Sequence, residues 1–322
     1  MFDQAELVTG QRLDLYTTLK AGGKAELFYV ARTRDELSDS ALWAQSEGVK
    51  QTILGWGSNV LPSDAGVAGF VTLNSAIGIS VDSSGLVEVD TGAGFQNLFL
   101  KTAQAGLGGF EFAVGIPGTV GGALVSNAGA YRNNISAFLT EIEVVWEGRR
   151  RWLTPEFLEL SYRDSVLRQV DAPAIVLLAA RFQLEKRDAK QIYDDARDYQ
   201  RQRIGKQPPS ASAGSFFKNV VDNKLAQDIE GLTPGMQEAG VIPAGFLIER
   251  CGLKGKRFGG AMIGARHANF MLNVGGATAS EIRRLAEHAS AQVRNEFGVN
   301  LEEEALYLGN WQGWENTGVL EL

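Results

Sequence analysis

One cysteine and two histidines are all this chain has of the residue types that build disulfides and most metal centres. Cys251 has no second thiol to pair with, so an intramolecular disulfide is excluded, as is any multi-cysteine metal site. With only His267 and His288 to add, no metal is expected. Cys251 sits in a helix-like segment, Phe246 to Leu253, that ends at glycine, and reads as a small core residue rather than a nucleophile. Long hydrophobic runs are missing too. The longest, Ala174 to Ala180, is far short of the ~20 residues a membrane helix needs. The start, Met1 to Glu6, lacks the basic-then-apolar pattern of a signal peptide, so a cytoplasmic location and no membrane partner are expected. Positive charge is in deficit, with 31 Lys and Arg against 38 Asp and Glu and a net charge of -7. That balance repels a phosphate backbone and argues against nucleic acid as a partner. Neither the G-x-G-x-x-G of a dinucleotide-binding βαβ unit nor a G-x-x-x-x-G-K-[ST] loop occurs.

What is present is glycine in two dense clusters. The run Gly115-Ile-Pro-Gly-Thr-Val-Gly-Gly-Ala-Leu-Val-Ser-Asn-Ala-Gly-Ala-Tyr131 mixes glycine with small residues. Glycine accepts positive φ and has no Cβ, so such backbone can converge its N–H groups on an anion or lie close to a flat ring. Gly55-Trp-Gly-Ser-Asn-Val-Leu61 follows a short β-like run, Gln51 to Leu54, as a phosphate-gripping loop follows a strand, and Ser58 and Asn59 carry side chains able to add hydrogen bonds. Plain turns and tight helix packing use glycine in the same way. A bound cofactor is the reading that accounts for both clusters.

The remaining pattern is α+β. Ala25 to Val30, Gly69 to Leu73 and Leu86 to Asp90 read as strands and Arg34 to Glu47 as a helix. Phe95 to Leu107 is a further helix; Leu139 to Trp146 and Ala174 to Leu184 are strands of a second αβ lobe. A charged helix, Ala189 to Ile204, runs into the Pro/Ser/Gly-rich stretch 205–214, where a domain boundary is expected. Thr278-Ala-Ser-Glu281 has the form of a capping box and opens a helix with Ile282, Leu285, Ala286, Ala289, Val293 and Phe297 on one face, closed by Gly298. His288 lies in that helix, in a packing or surface position. Val299 to Leu308 reads as a strand. The domains are accordingly 1–74 and 75–205 as two lobes, 206–310 as a second domain, and 311–322 as a tail packed by Trp311 and Trp314.

Three groups in this frame are able to do chemistry. Ser215, between Gly214 and Phe216, has no G-x-S-x-G context and no histidine partner, which speaks against a hydrolase nucleophile. As a weak acid its hydroxyl suits protonation of something very basic, such as an enolate. In a strand from Val299, period two puts Glu302 and Glu304 on one face and Glu303 on the other with Leu301 and Tyr307, so at least one carboxylate has apolar neighbours. Arg163 has the fork geometry to hold a carboxylate. Arg250, Lys254, Lys256, Arg257 and Arg266 form a local basic group that fits either a small acidic ligand or a solvated face.

Taken in order, Thr18 to Gly23, Gly55 to Leu61, Gly115 to Tyr131, Ser161-Tyr-Arg163, Gly214-Ser-Phe-Phe-Lys-Asn219, Pro243 to Glu249, Gly252-Leu-Lys-Gly255, His267-Ala-Asn-Phe270 and Phe297 to Glu302 make the chain resemble the UDP-N-acetylenolpyruvoylglucosamine reductase family along its whole length. The resemblance implies a two-lobed FAD-binding domain of the vanillyl-alcohol-oxidase type followed by an α+β substrate-binding domain. It implies non-covalent FAD held by Gly55, Gly57, Ser58, Asn59, Leu61, Gly115, Gly118, Thr119, Gly121, Gly122, Asn127, Ala128 and Gly129. NADPH is the implied reductant and UDP-N-acetylglucosamine enolpyruvate the implied substrate, which takes hydride from flavin N5 to give UDP-N-acetylmuramate for peptidoglycan synthesis. Ser215 matches the family's proton donor, and Arg163 and Glu304 match the two other catalytic positions, Glu304 through the pattern Leu-Glu-x-Glu. Tyr162, Lys206, Lys218 and Asn219 match substrate-binding positions. The chain looks like the family's shorter type, without an extra substrate-covering loop, and a monomer is expected. It departs from the pattern at Val220, where the family usually has proline, and at Tyr131-Arg132, where Tyr-Gly is more usual. The rival readings are another FAD-dependent oxidoreductase of the same superfamily, which would share the glycine clusters but not the Gly214 to Asn219 and Leu301 to Glu304 patterns, and a non-catalytic nucleotide-sugar sensor, which would need none of Arg163, Ser215 and Glu304.

Overall fold

Thr33 and Glu36 show how locally the elements are set. The Thr33 hydroxyl accepts from the Glu36 N–H and opens the helix Arg34–Ser46, which buries Leu37, Ala41 and Ala44 on one side. In the computed structural model, which describes residues 2–205, 208, 210–316, 318 and 320, the chain forms two compact units. The first comprises Met1–Gln11, Ala25–Trp56 and Ala68–Gly205; the second comprises Arg12–Lys24, Gly57–Val67 and Lys206–Leu322.

The first unit is built on two sheets. One has the strand order Val8–Arg12, Lys24–Ala31, Val67–Asn74, Gln51–Leu54, its last two strands parallel. The other is antiparallel throughout, in the order Arg149–Leu153, Leu139–Trp146, Val176–Gln183, Leu86–Asp90, Ile79–Val81. Helix Arg34–Ser46 packs Leu37 and Ala41 with Tyr29, Phe70, Val145 and Leu178. A separate core gathers Phe95, Phe110, Phe112 and Phe182, with edge-to-face contacts such as 5.2 Å between Phe110 and Phe182. Helix Phe95–Gln104 and the short helix Val120–Val125 lie over that core, and helix Ala189–Ile204 closes the unit with Ile192 and Ala196 inward.

In the second unit the capping box forms as expected. Thr278 Oγ1 accepts from the Glu281 N–H, the Glu281 carboxylate accepts from the Thr278 N–H, and helix Ala279–Phe297 ends at Gly298 with φ +72°. Asp64 adds its carboxylate to the N–H groups of Ala279 and Ser280, at 2.8 Å each. The helix packs Ile282, Leu285, Ala289 and Val293 against a four-stranded antiparallel sheet of Ala211–Ser212, Met271–Asn273, Ala261–Ile263 and Arg257–Phe258. Ala211–Ser212 thus lies in a sheet where a linker is expected from composition. His288 is buried and its Nδ1 accepts from the Leu320 N–H, with desolvation holding the ring's pKa below the usual histidine value. Cys251 is half-buried at the end of helix Ala244–Arg250, its thiol pushed up by burial.

Two segments read from sequence as part of a first lobe belong to the second unit instead. The strand Val60–Pro62 runs parallel to Leu306–Leu308, and Leu19, Ala21 and Leu61 are buried in the second unit's core. The pairing also corrects the expected strand from Val299 to Leu308. Only Leu306–Leu308 is a strand; before it, the segment makes one antiparallel bridge, Glu303 to Phe217. It changes hydrogen-bonding partner between Glu304 and Leu306, and a continuous ladder is interrupted there. Among the described residues no helix is long and apolar enough to cross a membrane, and no cluster of three or more His, Cys, Asp or Glu side chains is placed to hold a metal.

Candidate active site

In the first unit the leading glycine of one cluster, Gly55, meets the other cluster. A Cβ on Gly55 would lie 2.5 Å from Thr119 Oγ1, so the turn after Gln51–Leu54 lies directly on the residue that caps helix Val120–Val125. Sequence reading expects N–H groups here to grip phosphate, and the helix start differs from that. The N–H groups of Val120 and Gly121 go to the carbonyls of Ala93 and Thr91, both at 2.8 Å, and Gly122 N–H goes to Thr119 Oγ1. Gly121 is a packing glycine, since its Cβ would press on Thr91 at 3.1 Å. Gly118 has φ +121° and its carbonyl accepts from Phe95 N–H, while Gly115 has φ +72°. Gly122 is different. It is exposed, and an added Cβ would meet nothing but Thr119 Oγ1 at an ordinary 3.6 Å. No internal contact there requires glycine, although a helix interior favours alanine over it by ~1 kcal/mol.

Asn127 carries the second sign of a ligand. Its backbone is left-handed at φ +42°, its Nδ2 donates to Ser161 O at 2.8 Å, and Oδ1, so oriented, is buried without a partner among the described residues. A buried acceptor left unmade costs about 1–3 kcal/mol, which a donor on a bound ring system would recover. An open glycine and an orphaned acceptor on one glycine-rich segment fit a flavin. Ala128 and Gly129 follow, the first linked to Ala123 and Ile135 through its backbone, the second through its carbonyl to Arg163 Nη2 at 2.5 Å.

Arg163 itself has φ +54°, uncommon for a residue with a side chain, and its guanidinium lies 5.6 Å from the ring of exposed Tyr162. Sequence reading missed Arg203, on the last turn of helix Ala189–Ile204. Its Nη1 reaches Gly115 O only at 3.5 Å, its Nε is buried without a partner among the described residues, and the guanidinium lies 5.5 Å from the Tyr131 ring, which stacks on Tyr199. Burial, with the like charge of Arg163 adding to it, holds its pKa below the usual arginine value. One arginine among three cations within six residues gives no sequence signal of that kind. Where the family pattern has glycine, Arg132 takes φ +65°, a conformation glycine adopts without cost.

In the second unit the other half of the Gly55 cluster is structural. Gly57 has φ +60° and a Cβ there would come within 2.1 Å of Tyr16 O; Asn59 Nδ2 donates to Ala213 O at 2.9 Å, and Leu61 turns its side chain wholly into the core. The Asn59 amide nitrogen and the Leu61 side chain are thus engaged within the fold. The Ser215 loop is held by a residue whose role the sequence did not reveal, Asn269. Its carbonyl accepts from Phe216 N–H at 2.8 Å, its Oδ1 from Phe217 N–H at 2.9 Å, and its Nδ2 donates to Phe217 O at 2.8 Å. The only signal was its place in the His267-Ala-Asn-Phe270 motif. Onto the same loop comes the glutamate segment, Glu304 N–H donating to Phe216 O at 2.8 Å and Lys218 N–H to Glu302 O. The Glu304 backbone is thereby held against Phe216, the neighbour of Ser215, and Ser215 and Glu304 are both half-buried. Lys218, expected to bind substrate, is buried in an ion pair with Glu302 at 2.5 Å. Asn219 Oδ1 accepts from Ala244 N–H at 3.4 Å. Lys206 lies outside the described residues.

The carboxylate among apolar neighbours is Glu303. It accepts from Tyr307 Oη at 2.7 Å, and desolvation raises its pKa above the usual glutamate value against the opposing effects of Tyr307 and Arg283. A raised acid favours the folded state when protonated, so its contribution is present at acid pH and is lost as pH rises through its folded pKa. Glu303→Gln, which keeps the acceptor for Tyr307, is expected to melt about 2–4 °C above the parent at pH 8. The gap should narrow towards pH 5. Thermal melts at both values check this, and a lower melting point at pH 8 would contradict it.

The chain matches two family models: an FAD binding domain over residues 25–149 and the C-terminal domain of UDP-N-acetylenolpyruvoylglucosamine reductase over residues 206–308. It is 37% identical to the UDP-N-acetylenolpyruvoylglucosamine reductase of Gloeobacter violaceus over 96% of this chain and 99% of that one. The chain belongs to the UDP-N-acetylenolpyruvoylglucosamine reductase family. The reductase of Bacillus subtilis is similar at 34% identity, over 94% of each chain. Among solved structures, the family member from Thermus caldophilus superposes with a TM-score of 0.73 at 33% identity, covering 94% of this chain and 98% of that one. Membership makes the chain a flavin-dependent oxidoreductase, and the first unit's open glycine and orphaned amide lie in or next to the FAD-binding match.

Proposed function

We propose that the chain reduces the enolpyruvyl ether of UDP-N-acetylglucosamine enolpyruvate to UDP-N-acetylmuramate, a step of peptidoglycan precursor synthesis, at the expense of NADPH. FAD, held non-covalently in a domain of the two-lobed vanillyl-alcohol-oxidase type, would supply the redox chemistry between nicotinamide and substrate. Gly122 would give room for it, Gly55 and Thr119 shape the adjoining backbone, and Asn127 Oδ1 would be available to accept from it. The double bond gains a hydride at its terminal carbon and a proton at the carbon beside the carboxylate, while NADPH becomes NADP⁺.

Placing negative charge on the enol carboxylate is the difficult part, and Arg163 stabilises it. Ser215 gives the proton: a hydroxyl is too weak an acid to protonate the resting substrate but suits the enolate formed during reaction. Glu304 polarises that exchange. Arg203, under-paired in the first unit, adds positive charge for an anionic ligand group, and Tyr162, Lys206 and Asn219 contribute to holding the nucleotide sugar. What supports this reading most directly is the second unit's clamp, in which Asn269 and the Glu304 N–H hold the Ser215 loop from two sides. A sensor of nucleotide sugars has no need of it.

Stereochemistry tests the proposal. With NADPH and the enolpyruvyl sugar nucleotide in deuterium oxide, the product should carry deuterium at the carbon beside the carboxylate in a single configuration, read by NMR and mass spectrometry. No product, or label in both configurations, would count against proton delivery by a fixed group.

A further inference from the structure

Beyond the family's C-terminal match, which ends at residue 308, the chain continues into Trp311 and Trp314, and these two rings do more than pack a tail. Arg283, on helix Ala279–Phe297, has its guanidinium 4.5 Å from the ring of Tyr307, 4.7 Å from Trp311 and 4.7 Å from Trp314. The rings also meet one another, Tyr307 with Trp311 at 5.5 Å and Trp311 with Trp314 at 5.3 Å, both edge-on. Glu287, one turn along the helix, ties the arrangement together: its Oε1 accepts from Trp314 Nε1 at 2.6 Å and lies 3.2 Å from Arg283 Nε. A guanidinium enclosed by three aromatic faces and held by a buried carboxylate has few other rotamers to adopt.

The cage opens onto the reaction site at one point. Tyr307 donates to Glu303, and Glu303 is the residue bridged to Phe217, between Glu302, whose carbonyl takes the Lys218 N–H, and Glu304, whose N–H donates to Phe216. Tyr307 also lies 6.3 Å from the ring of Phe216, the neighbour of Ser215. Errors in the placing of a reacting group by 1 Å cost as much as 10²-fold in rate, so what fixes Glu303 bears on catalysis.

We propose that Tyr307, Arg283 and Trp314 are positioning residues for proton delivery: the aromatic cage around Arg283 holds Tyr307, Tyr307 holds Glu303, and Glu303 sets the placing of Glu304 beside the Ser215 loop. This rests on the function proposed above. It gives the C-terminal extension a role in one half of the reaction and none in the other, because reduction by NADPH needs neither Glu304 nor Ser215.

The test uses the full-length, FAD-loaded protein and measures two steps separately under anaerobic conditions, flavin reduction by NADPH and reoxidation by the enolpyruvyl sugar nucleotide. Tyr307→Phe keeps the ring and removes the hydrogen bond to Glu303. It should slow reoxidation about tenfold, enlarge the solvent deuterium isotope effect on that step, and leave reduction within about twofold of the parent. Trp314→Ala should behave in the same way, and Trp314→Phe, which keeps a ring but loses the bond to Glu287, should recover part of the loss. Tyr307→Phe with parental rates in both steps would overturn the proposal. So would equal slowing of both steps with a lowered melting temperature, which is the mark of a merely structural residue. If the parent protein reduces with NADPH but the sugar nucleotide never reoxidises it, the proposed function itself fails and this inference with it, a result distinct from a silent Tyr307→Phe.

Discussion

Ser215→Ala is expected to retain FAD, to be reduced by NADPH at the parental rate, and to lose reoxidation by the enolpyruvyl sugar by about 10³-fold or more. The split follows from the clamp. Asn269 binds the backbone of Phe216 and Phe217 at three atoms and does not depend on the serine hydroxyl, so the loop and the glutamate segment against it should keep their geometry. What is removed is the hydroxyl proposed to protonate a strongly basic enolate. Stopped-flow traces of both steps read the effect, and reoxidation within tenfold of the parent would remove Ser215 from the mechanism.

Gly122→Ala should raise the stability of the FAD-free protein and weaken FAD binding at least about 100-fold, opposite signs from one methyl group. The gain, ~0.5–1 kcal/mol, comes from replacing glycine within a helix where the new Cβ meets only ordinary contact. The loss comes from filling the room left for the cofactor. Gly57→Ala is a contrast, because φ +60° and Tyr16 O at 2.1 Å make it destabilising with or without flavin. Thermal melts of stripped protein and FAD titration followed by fluorescence decide the matter. Unchanged FAD affinity in Gly122→Ala would show that the open glycine is not part of the cofactor site.

The sequence made some of this legible and concealed the rest for physical reasons. Local signals were readable: the Thr278 and Glu281 capping box, the apolar face of the helix it opens, and the strand Leu139–Trp146 depend on residues a few positions apart. The glycine runs pointed to a ligand but could not separate Gly121 from Gly122, which are the same residue in sequence and differ in the structure, Gly121 lying against Thr91 and Gly122 being exposed. Arg203 gave no signal and Asn269 only its place in a motif, because an Nε buried without a partner among the described residues and a three-bond clamp exist only once distant segments meet. Period two placed Glu303 with Tyr307 correctly, yet a strand from Val299 to Leu308 did not form, because the segment changes partner from the Phe217 loop to Val60–Pro62. The assignment of 12–24 and 57–67 to the second unit is likewise a fact of packing that composition does not carry.

The central claim is that flavin bound by the glycine-rich segments passes electrons from NADPH to an enolpyruvyl sugar nucleotide. An anaerobic stopped-flow experiment following flavin absorbance tests it most directly. The account predicts rapid bleaching on mixing with NADPH and return of the oxidised spectrum only when UDP-N-acetylglucosamine enolpyruvate is added. A yellow protein that is indifferent to the sugar nucleotide and reoxidises in oxygen, or a colourless one that cannot take up FAD, would contradict it.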